Sequence, residues 1–137
     1  MDTMQDFTKG ITDFLQANND RAALIFSFSM LEQFIGDLIK IKCKHSRAYE
    51  NFSAFHKISL LHELDLISEQ EYESINWLRE KRNDAAHQPG YSLDESTIPA
   101  RWLMKDMGEM SALNNYLITT IGGFWNAHPE IRRHYQE

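Results

Sequence analysis

The segment from Arg21 to Lys42 constrains the fold more than any other part of the chain. Placed on a helix at about 100° per residue, Leu24, Phe28, Leu31, Ile35 and Leu38 share one face. Phe26, Met30, Phe34 and Ile41 lie on another. A helix that is apolar around most of its girth is buried on several sides. In a small domain it is either the central helix or one shared with a second subunit. The rest of the chain points the same way: six Gly and three Pro in 137 residues, with no alternating runs bounded by turn residues, favour long helices over a sheet sandwich.

Four further helices follow from periodicity and capping signals. Phe7, Ile11, Phe14 and Leu15 predict a first helix from Thr3 to Ala17, after which Asn18-Asn19-Asp20 turns the chain and Asp20 caps the second helix. Lys44 to Asn51 is polar and reads as a loop, and Ser53 opens a short third helix through Leu64. Ser68-Glu69-Gln70-Glu71 has the form of a capping box and starts a fourth helix, which Pro89-Gly90 terminates. Tyr91 to Ile98 reads as a loop. Pro99 suits the first turn of a fifth helix carrying Trp102, Leu103, Met107, Met110, Leu113, Leu117, Ile118 and Ile121. Gly122-Gly123 and Pro129 mark its end, and a basic-aromatic tail (Arg132, Arg133, His134, Tyr135) follows. The expectation is an all-α bundle of about five helices in a single domain, 1–137. A domain of this size buries roughly two-thirds of its unfolded surface and needs neither disulfide nor metal.

Composition narrows the function classes. Apolar residues at 42% and charged residues at 25% are those of an ordinary globular domain. Cys43 is the sole cysteine, which excludes an internal disulfide and fits a small core residue. The stretch Met1 to Asp6 has neither the basic nor the apolar region of a secretion signal. Ala22 to Leu31 is about half a membrane span and runs directly into Glu32, Gln33 and Asp37. These features predict a cytoplasmic protein with no membrane association. A net charge of −6 argues against a dedicated duplex DNA binder, whose affinity comes mostly from phosphate neutralisation. No Gly-rich phosphate loop or nucleophile elbow is present, so no cofactor is expected. His45, His56, His62, His128 and His134 do not combine with carboxylates at metal-ligand spacing, so no metal site is expected either. Trp77, Trp102 and Trp125 read as core or interface packing.

The chemistry-bearing run is Arg82-Asn83-Asp84-Ala85-Ala86-His87, at the end of the fourth helix. Tyr72, Ile75, Leu78, Ala85 and Ala86 form that helix's core-facing stripe, and Arg82 falls within it. A guanidinium there must find a carboxylate, a carbonyl or water in a crevice. Arg79, Asn83 and His87 follow at i, i+4 and i+8, which lets Asn83 reach His87 and leaves Arg79 on a more solvated ridge. A plain structural role is open on these residues alone: Arg82 pairing with an acid on another helix, and His87 capping the helix's last carbonyls.

That run resembles the R-x4-6-H motif of the HEPN superfamily, in which a polar residue such as Asn83 typically follows the Arg. The stretch before it resembles the mannitol operon repressor family of the same helical fold. Phe52-Ser53-Ala54 opens the short helix, Leu64-Asp65-Leu66-Ile67-Ser68-Glu69-Gln70-Glu71-Tyr72 leads on, and Leu78-Arg79-Glu80-Lys81-Arg82-Asn83 runs to the His. The likeness spans Arg21 to Gln88. One departure is Ala85, where family members often carry Phe before Ala-His. The resemblance implies two alternatives. One is a non-catalytic regulatory homodimer that acts through protein partners rather than by direct DNA binding. The other is a metal-independent endoribonuclease of the toxin–antitoxin or defence type. In the second, catalysis falls to Arg82, Asn83 and His87 at a dimer cleft, RNA is the substrate, and Arg79 and Lys81 help bind it. His87 would serve as general base or acid and Arg82 would hold the phosphate. Arg82 and His87 lie about 140° apart on an ideal helix, so one helix cannot easily aim both at one phosphate, whereas two helices near a two-fold axis can.

Overall fold

The computed structural model describes residues 3–136; Met1 and Asp2, part of the stretch inspected for a secretion signal, and Glu137 lie outside it. Among the described residues there are six α-helices and no strands, so the all-α expectation holds. They are α1 (Thr3–Gln16), α2 (Asp20–Lys42), α3 (Ala54–Glu63), α4 (Glu69–Ala86), α5 (Ala112–Ala127) and α6 (Pro129–Gln136).

The apolar girth of α2 belongs to a central helix. It packs against α1, α3, α4, α5 and α6, and buries Leu24, Phe28, Leu31, Phe34, Ile35 and Leu38. The first apolar face is fully absorbed within the chain; on the second Phe34 is buried, Phe26 and Met30 are half-buried, and Ile41 is 43% exposed. By length and composition α2 is also the one described helix that could cross a membrane. Its burial against five neighbours accounts for that composition.

The capping signals at α3 and α4 operate as the sequence predicts, and the one at α2 does not. Ser53 accepts from the His56 N–H at the start of α3. At α4 the capping box closes in both directions: Glu71 N–H donates to Ser68 Oγ at 3.1 Å, and Ser68 N–H donates to Glu71 Oε1 at 2.9 Å. At α2 the cap is displaced by one residue. Asn19, not Asp20, accepts from the Ala22 N–H, while Asp20 accepts from Leu93 N–H at 2.9 Å and ties down the loop after α4.

The fifth helix departs most from expectation. Pro99 leads only into a short 3-10 turn, Ala100–Trp102, and α5 begins at Ala112 behind a Ser111 cap. Between them Asp106 and Gly108 adopt positive φ, 63° and 65°, which breaks helical propagation. Asn115 holds the loop in place by accepting from Met104 N–H and donating to Met104 C=O. Gly122-Gly123 does not end α5, which runs on to Ala127. Pro129 starts rather than stops a helix, and the predicted tail is α6, whose Tyr135 donates to Asp37 at 2.8 Å and packs on Phe34 and Trp125. The predicted loop from Lys44 to Asn51 contains one 3-10 turn, Ser46–Tyr49.

Candidate functional site

The site occupies the C-terminal half of α4, where the helix leans on α2 to one side and α3 to the other. Arg82 lies in the crevice that its wheel position implies. Its guanidinium sits over the Phe28 ring, 4.6 Å from the centroid, and Nη2 lies 3.8 Å from Glu32 Oε1. The side chain keeps 28% of its exposure, yet Nε is buried without a hydrogen-bond partner. Arg82 is therefore held by stacking on an aromatic face and by a loose ion pair, with one donor unused.

Arg79 differs from the expectation of a solvated ridge. Its side chain is 20% exposed, less than that of Arg82. Phe55 from α3 lies under the guanidinium at 5.0 Å, and Nε donates to Asn76 Oδ1 at 3.3 Å. The wheel places Arg79 correctly on α4, but the cover comes from another helix. Lys81 turns the other way, with Nζ 5.4 Å from the centre of the Trp77 ring. Arg79 and Lys81 thus flank α4 on opposite sides and do not form one basic cluster.

His87 is the residue that closes α4, and its ring is exposed. Among the described residues it forms no side-chain hydrogen bond or ion pair, and Asn83 does not bond to it. The reading of His87 as a cap for the helix carbonyls also fails, because another residue fills that role. Arg21, at the start of α2, donates from Nε to Ala85 C=O at 2.9 Å and from Nη2 to Ala86 C=O at 3.4 Å. A cation there complements the helix dipole and satisfies carbonyls that would otherwise have no partner. Sequence reasoning missed Arg21. It stands 64 residues from Ala85, and no periodicity links the two.

Asp20 and Arg21 act as adjacent clips: one holds the last turn of α4 and the other holds Leu93 in the loop beyond it. Together they fix the path of the chain through His87. Tyr91 in the same loop has its phenol pKa pushed up, by burial first and then by the charges of Asp84 and Asp20. The helix end is thus tied on both sides of His87, whose imidazole has no side-chain partner among the described residues, and Arg82 lies against Phe28 and Glu32 of α2. Within one chain, no hydrogen bond or ion pair among the described residues links Arg82 to His87. Among the described residues no group of His, Cys, Asp and Glu is placed to hold a metal ion. In comparisons with known proteins, no family model, no curated protein and no solved structure matches this chain.

Proposed function

We propose that this protein is a HEPN-type cytoplasmic regulator, similar to the mannitol operon repressor family, that works as a homodimer through protein partners. The observation that carries this reading is the state of the motif in a single chain. Arg82 is committed to Phe28 and Glu32, Arg21 occupies the carboxyl end of α4, and His87 is left on the surface with nothing to orient it. A general base is normally oriented by a third group, and no residue of the same chain orients this ring, which supports recognition over catalysis. The dimer interface then lies along α4 and the start of α3, where Phe52, just before the helix, and Phe55 within it are 41% and 42% exposed. The net charge of −6 supports control through proteins rather than through duplex DNA. Light scattering at micromolar concentration is expected to give twice the chain mass, and fluorescence anisotropy is expected to show no duplex DNA binding at low salt. A monomer, or salt-sensitive binding to DNA, would contradict the reading.

The alternative is a metal-independent endoribonuclease of the toxin or defence type, with an antitoxin as the protein partner. One observation favours it: Arg82 keeps 28% of its side-chain exposure behind a loose 3.8 Å ion pair and the His87 ring is unengaged, so both are open to a second copy of the motif or to an RNA phosphate. In that assembly the 2′-hydroxyl of RNA attacks the adjacent phosphate. Arg82 holds the phosphate oxygens, His87 moves the proton, and Asn83 positions the ring or the ribose.

A further inference from the structure

The first half of α4 carries a feature that the motif does not explain. A cleft of about 360 Å³ opens between the first half of α4 and the second half of α5, with Trp102 from the intervening 3-10 turn closing one side. That volume lies within the range of small-molecule sites. Ile75 and Phe124 supply apolar wall, and Ser74 and Thr120 supply hydroxyls that share a hydrogen bond at 3.1 Å.

Two independent observations indicate that the cleft is built for a ligand. Trp102 is 5% exposed, and its indole Nε1 is buried without a hydrogen-bond partner although the residue lines the cleft. A buried N–H left unpaired is costly, and it is normally matched. The ring is not free to turn away: Trp77 and Tyr116 pack against it at 5.9 Å, and the Arg101 guanidinium covers it at 4.9 Å. The second observation is Gly123, which lines the cleft from within α5. A Cβ at that position would meet nothing within 4 Å, so alanine would fit and would make a better helix. Glycine there leaves the cleft wider at a cost to the helix.

We propose that this cleft binds a small, planar, uncharged molecule carrying a hydrogen-bond acceptor. Planarity follows from the aromatic surfaces of Trp102 and Phe124, and the acceptor is what the Trp102 N–H requires. The absence of net charge follows from Glu71, the one charged side chain lining the cleft among the described residues. Its carboxylate repels anions, and its two oxygens already accept from Ser68 N–H at 2.9 Å and from His128 Nε2 at 2.9 Å. A cation would have to share these oxygens with the two bonds they already accept. The site shares no residue with the Arg82–His87 motif, so it stands or falls separately from the proposed function.

Benzamide is a suitable probe because it is a planar, neutral ring with a carbonyl acceptor, and benzoate is its anionic counterpart. Full-length protein labelled with nitrogen-15 at the indoles is titrated with each, and the Trp102 N–H resonance is identified by its loss in Trp102→Phe. Benzamide is expected to move that resonance saturably, with half-saturation in the millimolar range typical of ligands this small. Benzoate is expected to need at least about tenfold more. Gly123→Leu, which fills the cleft from open space, is expected to abolish the response while keeping the helical circular dichroism. Ala127→Phe, on the exposed rim, repeats the test if Gly123→Leu does not fold. No saturable Trp102 shift, an undiminished shift in a folded blocked variant, or equal binding of benzoate would each overturn the proposal.

Discussion

The two sides of α4 satisfy their polar groups in different ways. On the side facing α5, the groups are tied off within the chain. Glu71 is bonded to Ser68 and His128, Ser74 to Thr120, and the Tyr116 hydroxyl to the Ser74 carbonyl at 2.6 Å. The exception there is the Trp102 N–H. On the motif side, Arg82 has an unused donor and a 3.8 Å ion pair, and His87 has no side-chain partner among the described residues. The closely paired end of the helix is fixed by the chain itself, whereas the loosely paired end is the one the proposed recognition would use.

The largest expected effect tests whether the motif side nonetheless stands on core packing. Phe28 is fully buried and is the surface on which Arg82 lies. Phe28→Ala is expected to cost about 3–5 kcal/mol in urea unfolding. A loss below about 1 kcal/mol would mean that α2 and α4 are not joined there as described.

Next in size is the carboxylate on the other side. Burial alone would raise the Glu71 pKa, but hydrogen bonds from His128 and Ser68 outweigh it and hold the carboxyl below its ordinary value. A depressed folded pKa contributes stability that is complete above the unfolded value and is lost as pH falls through the folded one. Glu71→Gln is therefore expected to cost about 1 kcal/mol at neutral pH, and the gap to the wild type should narrow as pH drops below 4.5. Thermal melts across pH 3–7 check it. A gap that does not change with pH would remove the ionised carboxylate from the account.

Arg21→Ala returns the comparison to the motif side. Losing both bonds to the end of α4 is expected to cost about 0.5–1.5 kcal/mol, with faster amide exchange at Ala86 and His87. Smallest is the pair Arg82→Lys and Arg79→Lys. Each guanidinium lies over a phenyl ring, so each change should lower stability by a similar amount, about 0.5 kcal/mol. Only Arg82→Lys is expected to weaken dimerisation or partner binding. Damage confined to Arg79→Lys would shift the functional position by one turn.

What was legible in the sequence was what depends on near neighbours. Ser53 and Ser68 announce their helices because a cap is decided within three residues. The crevice position of Arg82 followed from helical geometry alone. The start of α5 was not legible, because an apolar stretch that repeats like a helix is held as a loop by Asn115 and by two positive φ angles. The partners of Arg79 and Arg21 lie on other helices, so wheel geometry placed each residue but could not say what covers it. The terminal helix was read as a tail because Pro129 is compatible with either an end or a beginning.

The central claim is that the Arg82–His87 run is a recognition surface rather than a nuclease. The most direct measurement is cleavage of single-stranded RNA in EDTA by the wild type and by His87→Ala, with both shown to be folded and of equal mass in solution. The account predicts no cleavage above background for either protein. Cleavage by the wild type that disappears in His87→Ala would contradict it and establish the ribonuclease instead.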